Sequence, residues 1–268
     1  MVEKLLKFGC HDFLNSRPLT YAISEKLINP PFETIYAPPA KLSDMLRAGD
    51  LDLAIIPAIE YARIPGLELV PEFSIAANGE VRTVLLFSEN DPWSAGSIAV
   101  DPRSRTSVAL MQILFNEYRK RDVKIIEVES NDPAVLMESG EAALIIGDEA
   151  FGIDRERMNV IDLAQSWHLH TNKPFVFALL VVRAGVEASL AIESLKQAKE
   201  IGLGRLGEIS NKSSALNGVP EDVCYDYLES RISYNLNDDE VEGLKLFYEL
   251  ALKHGLIEKS PDTTFSSR

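Results

Sequence analysis

Short apolar runs alternate with helix-like stretches along most of this chain, and that alternation restricts it to an α/β architecture. The most constraining run is LDLAIIP (51–57), nearly unbroken in apolar character, the pattern of a strand covered on both faces. Further strand-like segments read at KLLKFGCHDFL (4–14), FETIYAP (32–38), EVRTVLLFS (80–88), SIAVD (97–101), VKIIEVE (123–129), AALIIGD (142–148) and FVFALLVV (175–182). Between them lie helix-like segments: RPLTYAISEKLI (17–28), AKLSDMLRAG (40–49) with Gly49 as its stop, SRTSVALMQILFNEYRKR (104–121) and DPAVLMESG (132–140). Beyond FVFALLVV the pattern is mostly helical, at 187–202, 220–229 and 238–254, and the tail KSPDTTFSSR is expected to fray.

Two stretches resemble each other. AGDLDLAIIPAIEY (48–61) and SGEAALIIGDEAFG (139–152) both run helix end, glycine, acidic residue, apolar strand, polar turn. They predict two similar lobes, one built from residues 1–93 plus 176–268 and the other from the inserted segment 94–175. Lobes of this kind hold a ligand in the cleft between them, beyond the carboxyl ends of their strands.

Bulk properties narrow the function. A chain of 268 residues that is 46% hydrophobic can bury a sizeable core. Its formal net charge of −14 repels nucleic acid and anionic membrane, so neither is an expected partner, although a local pocket can still be positive. Cys10 and Cys224 lie far apart with no Cys-x-x-Cys, which fits buried thiols in a reducing compartment and argues against a thiolate zinc site. There is no leader-like segment and no window of 18 uninterrupted apolar residues, so a cytoplasmic location is expected.

The strand-end rule selects the candidate site. In DPRSRTSVAL a strand ends at Asp101, and Ser104, Arg105, Thr106 and Ser107 open a long helix. The first N–H groups of a helix have no internal partner and carry the positive end of its dipole, so this junction can cradle a carboxylate or phosphate. The alternative is that Ser104 or Thr106 is an ordinary N-cap. The same choice stands at NSRP: Asn15 or Ser16 can cap, or Asn15, Ser16 and Arg17 can face an anion, and Pro18 suits a first helical turn either way. Glu60 and Asp148, each just past an apolar strand, are candidate acids or bases, and Asp148 could equally cap. HLH (168–170) would place two histidines on one face of a strand, but no third ligand lies nearby and no metal is expected. His11 and His254 read as structural or exposed, and Trp93 and Trp167 as packing at the lobe junctions. Walker, Gly-x-Gly-x-x-Gly, Gly-x-Ser-x-Gly and His-Glu-x-x-His motifs are absent, against the common nucleotide, hydrolase and metalloprotease classes.

Seven segments in order, FLNSRPLTYAI, GDLDLAIIPAIEY, ANGEVRTVLLFS, DPRSRTSVALMQIL, ALIIGDEAF, DLAQSWHLHTNKPFVFALLVV and YNLNDDEVEGLKLFYELALKHGLI, resemble the MqnA family, the chorismate dehydratases of futalosine-pathway menaquinone biosynthesis. The resemblance covers nearly the whole chain. It implies a two-lobed periplasmic-binding-protein-like (type II) fold used as a cytoplasmic enzyme. The sister family MqnD opens closer to Ser-Pro-Cys-Pro-Asn-Asp, where this chain has Leu-Asn-Ser-Arg-Pro-Leu. Thr83 stands where many relatives carry serine, and Leu180 where tryptophan is common.

The implied reaction turns chorismate, a small dicarboxylate, into 3-[(1-carboxyvinyl)oxy]benzoate and water, with no metal or organic cofactor. On this reading Ser104, Arg105, Thr106 and Ser107 hold a carboxylate, and Asn15 and Thr83 hydrogen-bond substrate near the reacting carbon or the departing hydroxyl. The base is Asp148, Glu60 or the substrate's own enolpyruvyl carboxylate. The protein would act as a monomer or homodimer. The rivals are a small-anion binding protein without chemistry and an MqnD-like sister enzyme. A LysR-type regulator is discounted, because no helix-turn-helix precedes the first strand.

Overall fold

The computed structural model describes residues 5–263. Its strands form two five-stranded sheets. The first has the order β2 (Phe32–Tyr36), β1 (Leu6–Cys10), β3 (Leu53–Pro57), β10 (Phe175–Arg183) and β4 (Leu67–Ala77). The second has the order β7 (Lys124–Glu127), β6 (Ser97–Val100), β8 (Ala142–Ile146), β5 (Val84–Ser88) and β9 (Asn159–Asp162).

The two sheets share one plan. In each, three strands are parallel, and the fourth runs antiparallel to both of its neighbours. That fourth strand, β10 or β5, adjoins the segment where the chain passes between sheets. The resemblance between 48–61 and 139–152 is therefore structural: it marks β3 and β8, which hold the same position in their sheets. Both are apolar throughout because each is flanked by two strands and covered on its faces.

The lobe boundary differs from expectation. The chain leaves the first sheet at Ala77 and enters the second at Val84, about ten residues before the expected change at 93. The Asp-Pro-Trp-Ser-Ala-Gly stretch (91–96), which contains the expected boundary, is the loop from β5 to β6 inside the second sheet. The return crossing, from Asp162 to Phe175, carries α6 (Leu163–Thr171). Asp162 joins the two crossings: one carboxylate oxygen accepts from the N–H groups of Val81 (3.0 Å) and Arg82 (2.6 Å), the other from Ala164 and Gln165 (3.0 Å each).

Helices cover the sheets. α1 (Arg17–Ser24) packs on α7 (Ser189–Leu203) so closely that a Cβ on Gly202 would lie 1.9 Å from the Pro18 carbonyl oxygen. α2 (Pro39–Ala48) stops at Gly49, whose φ of +83° suits glycine. α3 (Ala58–Arg63) follows β3, α4 (Arg105–Leu114) follows β6, and α5 (Pro133–Ser139) leads into β8. After β10 and α7 come α8 (Leu206–Asn217), α9 (Glu221–Asp226) with a π turn over Tyr227–Arg231, and α10 (Asp238–Lys253). The Asn237–Glu240 capping box starts α10.

One core cluster runs through both lobes, joining Phe8, Leu53 and Leu179 to Leu86, Ile98 and Leu144. A smaller cluster with Leu85, Phe87, Ala143 and Ile145 covers the other face of the second sheet, so β5 alternates between two cores with period two. Among the described residues no helix is long and apolar enough to cross a membrane.

Two further expectations change. The HLH segment lies on α6, where residues two apart point to different sides. His170 stacks on Tyr118 at 4.0 Å, and no cluster of three metal-ligating side chains occurs among the described residues. The tail expected to fray is anchored near the end of its described part, although Lys259, Ser260 and Asp262 are exposed: Thr263 is buried and Tyr61 Oη donates to the Asp262 carbonyl at 2.7 Å. Its last five residues, 264–268, lie outside the described residues. Trp167 is fully buried in the return crossing, with Nε1 donating to the Pro174 carbonyl at 3.1 Å.

Candidate active site

Strand ends from both sheets meet at one cleft. His11, Asn15, Pro57 and Ala178 line it from the first sheet, and Thr83, Val84, Ser104, Ser107 and Gly147 from the second. Among the described residues its wall holds no aspartate or glutamate. A wider outer recess of about 830 Å³ shares His11, Phe13, Arg103 and Ile146 with it and adds Asp12, Asp101 and Glu149.

The turn after β1 presents Asn15. Ser16 Oγ donates to the carbonyls of His11 (2.6 Å) and Phe13 (2.9 Å) and so shapes a 3-10 turn over Leu14–Ser16. No side-chain cap bond is made at the start of α1, so capping explains neither Asn15 nor Ser16. The Asn15 side chain lies near the Tyr227 hydroxyl, and its Oδ1 is buried without a partner. Thr83, at the entry to β5, shares a 2.8 Å hydrogen bond with the same hydroxyl.

The loop after β6 presents Ser104, which is 2% exposed, makes no side-chain cap bond to α4 and leaves Oγ unpartnered. Thr106 Oγ1 accepts from the N–H of Ile59 at 3.2 Å and so ties α4 to α3 across the lobes. Arg105 is committed elsewhere, to Glu60 (3.0 Å) and Asp44 (3.0 and 3.2 Å). Arg103 Nε is held by Asp101 at 2.7 and 2.8 Å.

Of the residues expected at a site, the cleft brings together Asn15, Thr83, Ser104, Arg105, Thr106 and Ser107. The others lie outside its wall. Ser16 points into its own turn, and Arg17 donates to Ser213 Oγ at 2.7 Å beside a separate surface recess. Glu60, 1% exposed, accepts from Arg47, Arg63 and Arg105 at 3.0–3.1 Å. Asp148 accepts from the Leu14 N–H (3.0 and 3.2 Å) and from Asn217 Nδ2 (2.7 Å), bridging the second lobe to the turn that carries Asn15.

Two residues escaped the sequence reading: His11 in the cleft wall, and Tyr227, outside that wall but hydrogen-bonded to Thr83. His11 was read as structural, but its buried Nδ1 has no partner and it lines the cleft. Its signal was its place just past a strand end. Tyr227 has no local signal, because the residues it meets are far away in sequence.

His11 and Asp148 titrate in one window with opposite signs. Burial lowers His11 from 6.5 to about 4. Burial raises Asp148 from 3.8 to about 6, against the opposing hydrogen bond from Leu14 and the charge of Arg17. His11 therefore contributes stability that is present above pH 6.5 and lost as pH falls toward 4. The contribution of Asp148 is present below pH 3.8 and lost as pH rises through 6. These amount to about 3 kcal/mol for His11 and about 2 kcal/mol for the partly solvated Asp148. Between about pH 7 and pH 4, His11→Gln should lose less stability than the parent by about 3 kcal/mol, and Asp148→Asn should lose more by about 2 kcal/mol. Urea unfolding across that range checks both, and variant curves parallel to the parent's would refute the opposing titrations.

The two sheets and the cleft between them define a class: the two-lobed fold of the periplasmic-binding-protein type. The structure superimposes on the alkanesulfonate-binding protein of Xanthomonas axonopodis pv. citri with a TM-score of 0.70, at 14% identity over 97% of each chain. It superimposes on a protein of Archaeoglobus fulgidus with a TM-score of 0.81, at 17% identity over 94% of this chain and 98% of that one. The chain belongs to the menaquinone biosynthesis family, whose model matches residues 6–253. It is 28% identical to a chorismate dehydratase of Thermus thermophilus over 81% of this chain and 86% of the relative.

Proposed function

We propose that this chain is a chorismate dehydratase of menaquinone biosynthesis, the activity for which its Thermus relative is named. The observation that carries this reading is the convergence of three buried, unpartnered polar atoms, His11 Nδ1, Asn15 Oδ1 and Ser104 Oγ, on one acid-free cleft at the start of α4. Buried polar atoms in a folded protein are nearly always paired, so three orphans facing one cavity imply a polar ligand.

Chorismate carries a ring carboxylate, an enolpyruvyl ether at C3 and a hydroxyl at C4. Ser104 Oγ and the first N–H groups of α4 receive the ring carboxylate. The C3 proton is conjugated to that carboxylate through a ring double bond, so the same donors stabilise the charge that develops as the proton leaves. Asn15 and Thr83 address the C4 hydroxyl. With no acid in the cleft wall and His11 shifted to about 4, the base is the enolpyruvyl carboxylate, already attached at C3. The C3–H pair moves into the ring, the C4–O bond breaks, and the ring becomes aromatic. The proton and the hydroxyl leave as water. The two buried free thiols suit the cytoplasmic location that this reading carries.

The test is incubation with chorismate while the aromatic product is followed by absorbance and NMR. Formation of the enol-ether benzoate is expected. Tight binding with chorismate recovered intact would instead make the protein a binding module.

A further inference from the structure

We infer that Asp148 is a positioning residue: from the second lobe it holds the Leu14–Ser16 turn of the first, and so fixes Asn15 relative to Thr83. The inference rests on the proposed dehydration, whose substrate hydroxyl these two residues address.

Asn15 and Thr83 belong to different sheets. Asn15 follows β1 in the first, and Thr83 precedes β5 in the second, so neither sheet alone sets their spacing. Gly147 and Asp148, the two residues that follow β8, set it. The Gly147 N–H donates to the Thr83 carbonyl at 3.0 Å. The Asp148 carboxylate accepts from the Leu14 N–H with both oxygens, at 3.0 and 3.2 Å. Two adjacent residues thus tie down the backbone of Thr83 and the residue immediately before Asn15.

The Leu14 bond also fills a local need. Leu14 is the first residue of its 3-10 turn, where an N–H has no partner within the helix, and Phe13 before it makes no side-chain cap bond. Asp148 supplies that cap from 134 residues away, with a charged acceptor, the stronger kind. Asn217, the last residue of α8, donates Nδ2 to Asp148 Oδ2 at 2.7 Å and orients the carboxylate from the first lobe. With its oxygens engaged by these donors and its side chain outside the cleft wall, Asp148 acts on the reaction through Asn15.

Kinetics at pH 8, where the carboxylate is ionised, test this role. Asp148→Ala should lower kcat by about 10- to 100-fold while KM changes less than about threefold. Asp148→Asn keeps a carbonyl oxygen for the Leu14 N–H and should return to within about fivefold of the parent. A folded Asp148→Asn with less than about 1% of parental kcat would mark a lost base and overturns the inference, and this result decides even if Asp148→Ala does not fold. In an Asn15→Ala background, Asp148→Ala should add less than about threefold. A residue that merely supports the fold would lower kcat by the same factor in both backgrounds, and that result also overturns the inference. The Leu14 backbone amide gives a readout free of turnover. Its proton should exchange slowly with deuterium in the parent and in Asp148→Asn, and faster in Asp148→Ala. Equal exchange in the parent and Asp148→Ala overturns the assignment even if the parent leaves chorismate intact, whereas intact chorismate with the exchange difference observed overturns only the proposed activity.

Discussion

Asn15→Ala is expected to cut chorismate turnover by about 10²–10³-fold, the usual loss when one preorganised polar group is removed from a reacting centre. The change deletes the unpartnered amide oxygen of a residue that lines the cleft. Thr83→Ala should lose a similar factor, and Thr83→Ser, which keeps the hydroxyl, should recover most of it. Because Asn15 sits on a turn set by Ser16 and clamped by Asp148, its backbone should survive the truncation, and thermal unfolding should place the variants near the parent. Wild-type rates in both alanine variants would place the reaction elsewhere. Retained activity in Asp148→Asn, with its carboxylate turned to Leu14 and Asn217, would favour the substrate's own carboxylate as base.

The elements that the chain announces most plainly are those whose neighbours in sequence are also neighbours in space. β3 and β8 show as apolar runs because both faces are covered, and α2 shows its stop because Gly49 must adopt a positive φ. β4 was hidden: Pro71 has no N–H, Glu72 lies at φ +68°, and the pairing with β10 shifts register across that point. β9 is a four-residue edge strand and α8 is largely polar, so neither has a strong period. The site divides in the same way. The start of α4 is legible because a helix N-terminus advertises its free donors locally. Glu60 and Asp148 gave the same signal, an acid past a buried strand, but the direction of each side chain is set by partners distant in sequence. Three arginines turn Glu60 away from the cleft, and the Leu14 N–H captures Asp148.

Glu60→Gln should lower the unfolding free energy by about 3–5 kcal/mol, the usual loss when one partner of a buried ion pair is removed. The three arginines do not contribute equally. Arg47 and Arg63 have side chains 47% and 36% exposed and are screened by water, whereas that of Arg105 is 22% exposed and also holds Asp44. Most of the loss should therefore come from Arg105, left near Asp44 alone. The double variant Glu60→Leu with Arg105→Met removes both charges and should lose clearly less than the sum of its single variants, since apolar replacement of a whole buried pair is often close to neutral. Urea unfolding at neutral pH measures each corner of this cycle. Additive losses would mean that Glu60 and Arg105 act independently, whereas coupling would identify the pair as the brace that fixes α4, and with it Ser104, against the first lobe. Turnover provides the second measure: a brace of this kind should raise KM as α4 loosens while kcat falls less, because Glu60 lies outside the cleft wall and touches nothing that reacts.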